Sequence, residues 1–578
     1  MKRTLLILAI LAATLSGVPA GGAPAQAPND LGEFGGGGAG AARQSISGSP
    51  VGVLDCQEPS SNQPEPAWAA QLPPARATTV TTSDVTITSR DGTALAARVY
   101  RPDAYTGRLP TVLWFNPYST QLGLRYRTYE GSLYDSGDAL EGCYLPFFLK
   151  RGYAVVWADM RGTGDSEGCP DYLGPRDQED GYAVVQWIAA QPWSSGRVGM
   201  HGYSWPGASQ YAAAAAAPPA LKAIVPVSAP DFYALSHPGA TLSELGLFYW
   251  AAGTYAIARA PRPPCPEMLE FQAHASSTDG TLDDYWAARS MPLLAARSRV
   301  PVLATFGYPA DGIRGFGSMW EALERHGVPR KAYIGPWAHW FPEIPWWPLY
   351  ELRWFEHWVR GHDTGMMDEP TLTLFDQTGA QHAAERFPAS HELVLQPGAG
   401  ALAVKAPRGS AVYRDVPGTT RVATRNGIAS LRYETAPLPE PLVIGGTPRL
   451  ELVAAIHQPD TNFAVHLFDL GPDGIGRFVT AGYLDARHRQ GIDRPGTDVE
   501  PGKRLRYDIQ LEATVHRLEA GHRLQLVVAS SDVMGPMNQL PDLTLTGREG
   551  IVSDGSAARV EVFEGPGATR LVLQPLRD

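Results

Sequence analysis

Residues 85–100, VTITSRDGTALAARVY, alternate apolar and polar positions on either side of Asp91-Gly92. A period of two broken by an Asp-Gly pair predicts an antiparallel hairpin. Six short apolar runs bounded by Gly or Pro follow: TVLWF (111–115), YAVVWA (153–158), RVGMH (197–201), LKAIVPV (221–227), VPVLATF (300–306) and KAYIG (331–335). Between several of them the period lengthens to that of a helix. In DQEDGYAVVQWIAAQ, Tyr182, Val185, Ile188 and Ala189 share one face. Buried strands alternating with amphipathic helices predict an α/β core, a mostly parallel sheet covered on both sides.

Two stretches depart from this alternation. Residues 230–298 are too long for a simple crossover and hold the helix-like segments LSELGLFYWAAGTYAIARA and TLDDYWAARSMPLLAARS, which predict a helical cap above the sheet. After LRWFEHWVRGHDTG (352–365), short alternating runs such as TLTLFD, RLELVAAI, NFAVHLFDL, RLRYDIQLEA and HRLQLVVAS are separated by Gly, Pro and Asp. They predict an all-β sandwich. The expected organisation is a core at 79–229 and 299–368, a cap at 230–298 and a sandwich at 369–578. Residues 21–78, rich in Gly, Pro, Ala and Ser and including GGGGAGAA, read as a mobile tether.

The first 20 residues change the picture of location. Lys2 and Arg3 precede the apolar run Leu5 to Leu15, and Gly17-Val18-Pro19-Ala20 supplies a small-residue exit. This is the pattern of a cleaved signal peptide. The run is too short for a bilayer, which takes about 20 residues, and no cysteine follows it for a lipid anchor. A secreted or periplasmic protein with no membrane span is expected.

Composition narrows the partners. A net charge of −11 over 578 residues opposes nucleic acid or an anionic membrane surface. Fifteen Trp and twenty-three Tyr suit core packing first and an aromatic-tolerant pocket second. The four cysteines, Cys56, Cys143, Cys169 and Cys265, contain no Cys-x-x-Cys pair, and in an oxidising compartment they predict two disulfides. Cys143 begins the helix running into strand 153–158, and Cys169 follows that strand's exit loop at the same sheet edge. The expected pairs are Cys143–Cys169 and, by remainder, Cys56–Cys265.

Candidate chemistry centres on RVGMHGYSWPGASQYAAAAAA (197–217). A strand, a tight turn flanked by Gly202 and Gly207, and an alanine-rich helix would lift Ser204 clear of the sheet's C-terminal edge, above a helix N-terminus. The spacing is G-x-S-x-x-G, with Pro206 at the helix start, where proline is tolerated. A serine nucleophile needs a base and an orienting acid, in the chain order Ser, Asp/Glu, His for this turn. Asp311 follows strand 300–306 and His339 follows strand 331–335. Rivals for the acid are Asp231, Asp283 and Asp284; rivals for the base are His201, His326 and His357. DMRGTGDSEG (159–168) lacks the G-x-x-x-x-G-K-[ST] pattern of a phosphate loop. It reads as a structural loop tied by Arg161 and Asp165.

GYSWPG, DMRGTGDSEG, residues 180–204, ADG (310–312), GPWAH (335–339) and LRWFEHWVRGHDTGMMDEP (352–370) together resemble the cocaine-esterase and X-Pro dipeptidyl-peptidase (CocE/NonD) group of serine hydrolases. The likeness extends through residues 434–452 and 458–474 and covers nearly all of the chain after residue 80. It implies an α/β-hydrolase core, a helical cap and a C-terminal jelly roll (galactose-binding-like). It also implies the triad Ser204, Asp311 and His339, with an oxyanion hole from the Tyr118 hydroxyl and the Trp205 N–H. No cofactor or metal is implied. Trp205-Pro206 departs from the Tyr and small or aliphatic residue common in the group, which leaves the adjoining pocket wall open. The expected function is hydrolysis of a small-molecule carboxylic ester, or of an amide, through an acyl-enzyme. An X-Pro dipeptidyl peptidase is the alternative within the class; a catalytically inert sugar- or polymer-binding protein is the alternative outside it.

Overall fold

The structure, a computed structural model, describes residues 50–53, 63–118, 146–243, 265–308, 313–339, 341–384, 387, 392–414, 430–530 and 558–576. The signal segment, Cys56, Cys143, Asp311 and most of LSELGLFYWAAGTYAIARA lie outside these residues.

Among the described residues, eleven strands form one mixed sheet: β1 (Pro50–Val53), β2 (Thr79–Thr88), β3 (Ala94–Pro102), β4 (Leu109–Asn116), β5 (Ala154–Asp159), β6 (Ser194–Tyr203), β7 (Leu221–Val227), β8 (Val302–Gly307), β9 (Arg330–Gly335), β10 (Leu372–Phe375) and β11 (Gln381–Ala384). Their order is β1-β2-β3-β5-β4-β6-β7-β8-β9-β10-β11. β2 and β3 form the expected hairpin, and pairing from β5 through β10 is parallel. β4, β5 and β8 are buried along their whole length, as strands sandwiched between helices must be.

Helices α1 (Pro175–Ala190), α2 (Trp205–Ala215) and α7 (Phe316–Arg325) cover one face of this sheet. Val184, Ile188, Tyr211, Met319 and Trp320 pack there against Leu113, Val156 and Ile224. Helix α8 (Trp347–Phe355) covers the other face through Leu352, Trp354 and Phe355, against Val112, Trp114 and Val225. Among the described residues between β7 and β8 are the short α-helices α3 (Phe232–Ser236), α4 (Pro266–Ala275), α5 (Asp284–Ala287) and α6 (Met291–Arg297).

The C-terminal strands form a sandwich. Arg449–Ile456, Arg504–Gln510, Arg559–Glu564 and Arg570–Leu573 build one layer; Ser430–Glu434, Asn462–Leu470, Gly476–Asp485 and Arg523–Ala529 build the other. Leu450, Leu452, Ile509 and Val560 meet Phe463, Val465, Leu526 and Val528 between them.

Two boundaries differ from expectation. TLTLFD belongs to the core sheet, because β10 pairs in parallel with β9, so the sheet runs past residue 368. Its alternation is that of a strand near a sheet edge, which a sandwich strand shares. Parts of the supposed tether are tied to the core, Pro50–Val53 by pairing with β2 and Trp68, Ala69, Leu72 and Ala77 by packing. Trp68 sits edge-on to Tyr350 beneath the Arg353 guanidinium, and the N–H of Arg76 donates to the carbonyl of Lys150 at 2.8 Å. Polar and Pro-rich composition hid the buried Ala69 and Ala77.

Candidate active site

Ser204 caps α2 immediately after β6, with φ 62° and ψ −124°. That is a left-handed φ on a non-glycine residue, a strained state costing roughly 1–3 kcal/mol and characteristic of functional turns. The surroundings enforce it. A Cβ on Gly202 would lie 2.5 Å from the Pro206 side chain, and one on Gly207 would lie 2.8 Å from the carbonyl of Val227. The N–H of Ser204 donates to that same carbonyl at 2.9 Å. Buried Gln210 donates to the carbonyls of Pro206 and Val225, each at 3.1 Å, and accepts from the N–H of Val225 at 2.9 Å. The Ser209 hydroxyl donates to the carbonyl of Phe115 at 2.7 Å. The turn is thereby fixed to β4, β6 and β7 together.

His339 approaches from the loop after β9. Its Nε2 lies 3.0 Å from Oγ of Ser204. The preceding Ala338 also has a left-handed φ, 50°, and lies against Gly307 at the end of β8. Both side chains are part-buried, accessible enough to meet a substrate.

Tyr118 follows β4, the strand beside β6. Its N–H donates to Oδ1 of Asn116 at 2.9 Å, and its ring meets that of Trp205 edge-on at 6.3 Å. Asn116 was not foreseen, although an Asn-Pro-Tyr turn in which Asn caps the N–H two residues on is readable from sequence. The Trp205 indole is buried among Tyr118, Tyr172 at 5.9 Å and Phe232 at 4.9 Å, and Tyr172 stacks on Phe271 of α4 at 4.1 Å. An aromatic wall therefore adjoins the serine.

The rivals stand elsewhere. Asp231 caps α3, accepting from the N–H of Tyr233 at 3.2 Å, and is buried. Burial pushes its carboxyl up to about 7, against the opposing pull of the N–H groups of Met291, Tyr233 and Ala234. Asp283 caps α5 and Asp284 lies in that helix's first turn. His201 is buried in β6 beside Glu351, 2.7 Å away. His326 ends α7, and His357 lies in the continuation of α8.

The 159–168 loop is a tie. Arg161 is buried and donates twice to Asp180, both at 2.6 Å, and once to Asp91 at 2.9 Å. Burial raises Asp91, but the hydrogen bonds from Thr93 and Arg161 outweigh it and hold the carboxyl at about 2. Asp165 contributes its N–H, donated to Asp159 at 2.9 Å.

The disulfide expectation is overturned. Cys169 is bonded to Cys265, with Cα atoms 5.8 Å apart, which removes both Cys143–Cys169 and Cys56–Cys265. The loop after β5 runs under α4, whose N-terminal cap position is Cys265; no local residue pattern sets the cap over that loop. Around the same junction Arg289 pairs with Asp171 at 2.8 Å, Arg297 donates to Gln178 at 2.8 Å, and Arg176 pairs with Glu267. Among the described residues, Cys169, Cys265 and Glu267 are the one cluster of metal-ligating types, and their sulfurs are joined to each other. On its other side the cap meets the sandwich, where the N–H of Leu282 donates to the carbonyl of Ile492 at 2.7 Å. Among the described residues no helix is long and apolar enough to cross a membrane.

A strained serine at a strand-to-helix turn, within hydrogen-bond reach of a histidine, belongs to a serine hydrolase. Comparison with known proteins agrees. Residues 91–340 match the family model described as X-Pro dipeptidyl-peptidase (S15 family), and residues 364–571 match that of the X-Pro dipeptidyl-peptidase C-terminal non-catalytic domain. A putative Xaa-Pro dipeptidyl-peptidase of Streptomyces avermitilis is 26% identical, over 84% of this chain and 84% of its own length. The cocaine esterase of a Rhodococcus species is also 26% identical, over 78% of this chain and 90% of its own. A crystal structure of a CocE/NonD family hydrolase from Staphylococcus aureus superposes with a TM-score of 0.69 at 18% identity, covering 86% of this chain and 94% of that one. That last likeness concerns the fold. The chain is a serine hydrolase with an S15-family match over residues 91–340 and a match to the associated C-terminal non-catalytic domain over 364–571, and it is similar both to X-Pro dipeptidyl-peptidases and to cocaine esterase.

Proposed function

We propose that the chain is an exported carboxylic-ester hydrolase with an α/β-hydrolase core and a jelly-roll C-terminal domain, working through a Ser204–His339–Asp311 triad. The observation that carries this reading is the 3.0 Å approach of His339 Nε2 to the strained Ser204 Oγ. Ser204 attacks the carbonyl carbon while His339 takes its proton. The tetrahedral oxyanion is stabilised by the Tyr118 hydroxyl and the backbone N–H of Trp205. His339 returns the proton to the leaving alkoxide, the acyl-enzyme forms, and water activated by the same imidazole releases the acid. Asp311 holds the imidazole in the tautomer that accepts at Nε2. The substrate is a small molecule, with the aromatic wall around Trp205 favouring an apolar acyl or alcohol group.

Cleavage of X-Pro peptides is the second reading, favoured by the S15 match over residues 91–340. The Cys169–Cys265 disulfide supports an oxidising compartment, to which the export signal expected at residues 1–20 would deliver the chain. The deciding experiment sets p-nitrophenyl esters of increasing acyl length beside Gly-Pro-p-nitroanilide. Faster turnover of an ester series, lost in Ser204→Ala, supports the esterase. Turnover of the anilide alone supports the peptidase. Failure of the intact protein to react with a fluorophosphonate would leave only a binding role.

A further inference from the structure

Tyr203 occupies the position directly before the proposed nucleophile, and its side chain reaches the proposed base. Its hydroxyl donates to the backbone carbonyl of His339. Its ring stacks on Phe341, two residues further along the same loop, with centroids 5.1 Å apart and planes 24° apart. The His339 ring lies 5.2 Å from it, tilted by 51°. One side chain thus touches the base-bearing loop at two points while its backbone is continuous with Ser204.

We propose that Tyr203 is a positioning residue for the acyl-transfer reaction, clamping the turn that carries the base to the turn that carries the nucleophile. This rests on the assignment of Ser204 and His339 above. Two non-glycine residues with left-handed backbone, Ser204 (φ 62°) and Ala338 (φ 50°), bracket the Oγ–Nε2 contact from its two sides. Relaxation of either turn would shift one of the reacting atoms. A tie from the neighbour of one to the carbonyl next to the other opposes that motion directly. The Tyr203 hydroxyl is spent on a main-chain carbonyl, so it acts through His339 and not on the substrate. Such geometry matters at the sub-ångström level, since a misplacement of about 1 Å costs on the order of 100-fold in rate.

Tyr203→Phe keeps the ring, the stack on Phe341 and the volume, and deletes only the tie. With p-nitrophenyl acetate, and with kcat normalised to sites titrated by a fluorophosphonate, the variant is expected to lose roughly 10- to 100-fold in kcat with KM within about twofold of the parent. Its melting temperature should stay within a few degrees. His339→Gln, measured alongside, should lose nearly all turnover. A Tyr203→Phe enzyme with kcat per titrated site within about twofold of the parent overturns the proposal, whether or not its stability or its number of active sites falls. If His339→Gln instead retains turnover, the base assignment itself fails and the clamp with it, an outcome distinct from an inactive His339→Gln beside a normal Tyr203→Phe.

Discussion

The backbone of Gly307, at the end of β8, is pressed against that of Ala338, the residue before His339. A Cβ added to Gly307 would stand 2.0 Å from the Ala338 carbonyl oxygen. No rotamer relieves a clash between two backbones, so Gly307→Ala must displace the His339 loop. The expected outcome is a kcat reduced by about 100-fold in a protein that still folds, measured by ester turnover per folded molecule from circular dichroism.

Ser204 holds a left-handed backbone that the proposed nucleophile would require, and relieving it should return stability. Ser204→Gly permits φ 62° without penalty. It should abolish turnover and raise unfolding stability by about 1 kcal/mol relative to Ser204→Ala. Chemical denaturation of the two inactive variants checks this; equal midpoints would mean that the turn stores no strain.

Tyr118→Phe separates an oxyanion donor from a turn residue. Loss of one such donor lowers kcat by about 10²–10³ with a much smaller change in KM. The N–H bond to Asn116 and the edge contact with Trp205 survive the substitution, so the melting temperature should hold. A near-normal kcat would remove Tyr118 from the site.

Asp231 makes stability depend on pH with a defined sign. Its folded-state carboxyl titrates at about 7, above the unfolded value of about 3.9. The folded state therefore holds the proton more tightly, and the contribution is fully present below about pH 4 and lost as pH rises through about 7. The span corresponds to roughly 4 kcal/mol. Unfolding free energies measured from pH 4 to 8 should decline more in the parent than in Asp231→Asn; parallel curves would show that the carboxyl titrates normally.

Non-reducing peptide mapping should recover Cys169 linked to Cys265. Cys169→Ser with Cys265→Ser should lower stability by roughly 2–5 kcal/mol and loosen the α4 junction, read as increased proteolysis near residue 265. Recovery of Cys143 linked to Cys169 would refute the arrangement.

What could be read from the sequence was whatever one period or one turn encodes. Leu221–Val227 is apolar except for Lys222 and bounded by Pro219 and Ser228, and it forms β7 over those residues. Ser204 and His339 each follow a strand whose C-terminal end is fixed by parallel pairing, so their meeting followed from chain order. Contacts between distant segments escaped. Nothing local says that the loop bearing Cys169 passes under the helix beginning after Cys265, or that Trp68 docks on Tyr350. Alternation in TLTLFD is satisfied equally by a sandwich strand and by a strand near the edge of the core sheet, and only its register with Ala332–Ile334 decides. Tyr203 carries no local signal, because its partner, a main-chain carbonyl 136 residues away, leaves no trace in a residue pattern.

The described part of the cap is fastened at opposite sides, to the core through Cys169–Cys265 and Arg289–Asp171 and to the sandwich through Leu282 and Ile492. The two fastenings to the core differ in kind, one covalent and one ionic. A reductant severs the first and leaves the second, whereas salt screens the second and leaves the first, so the grip on the cap answers to two separate features of the surrounding medium.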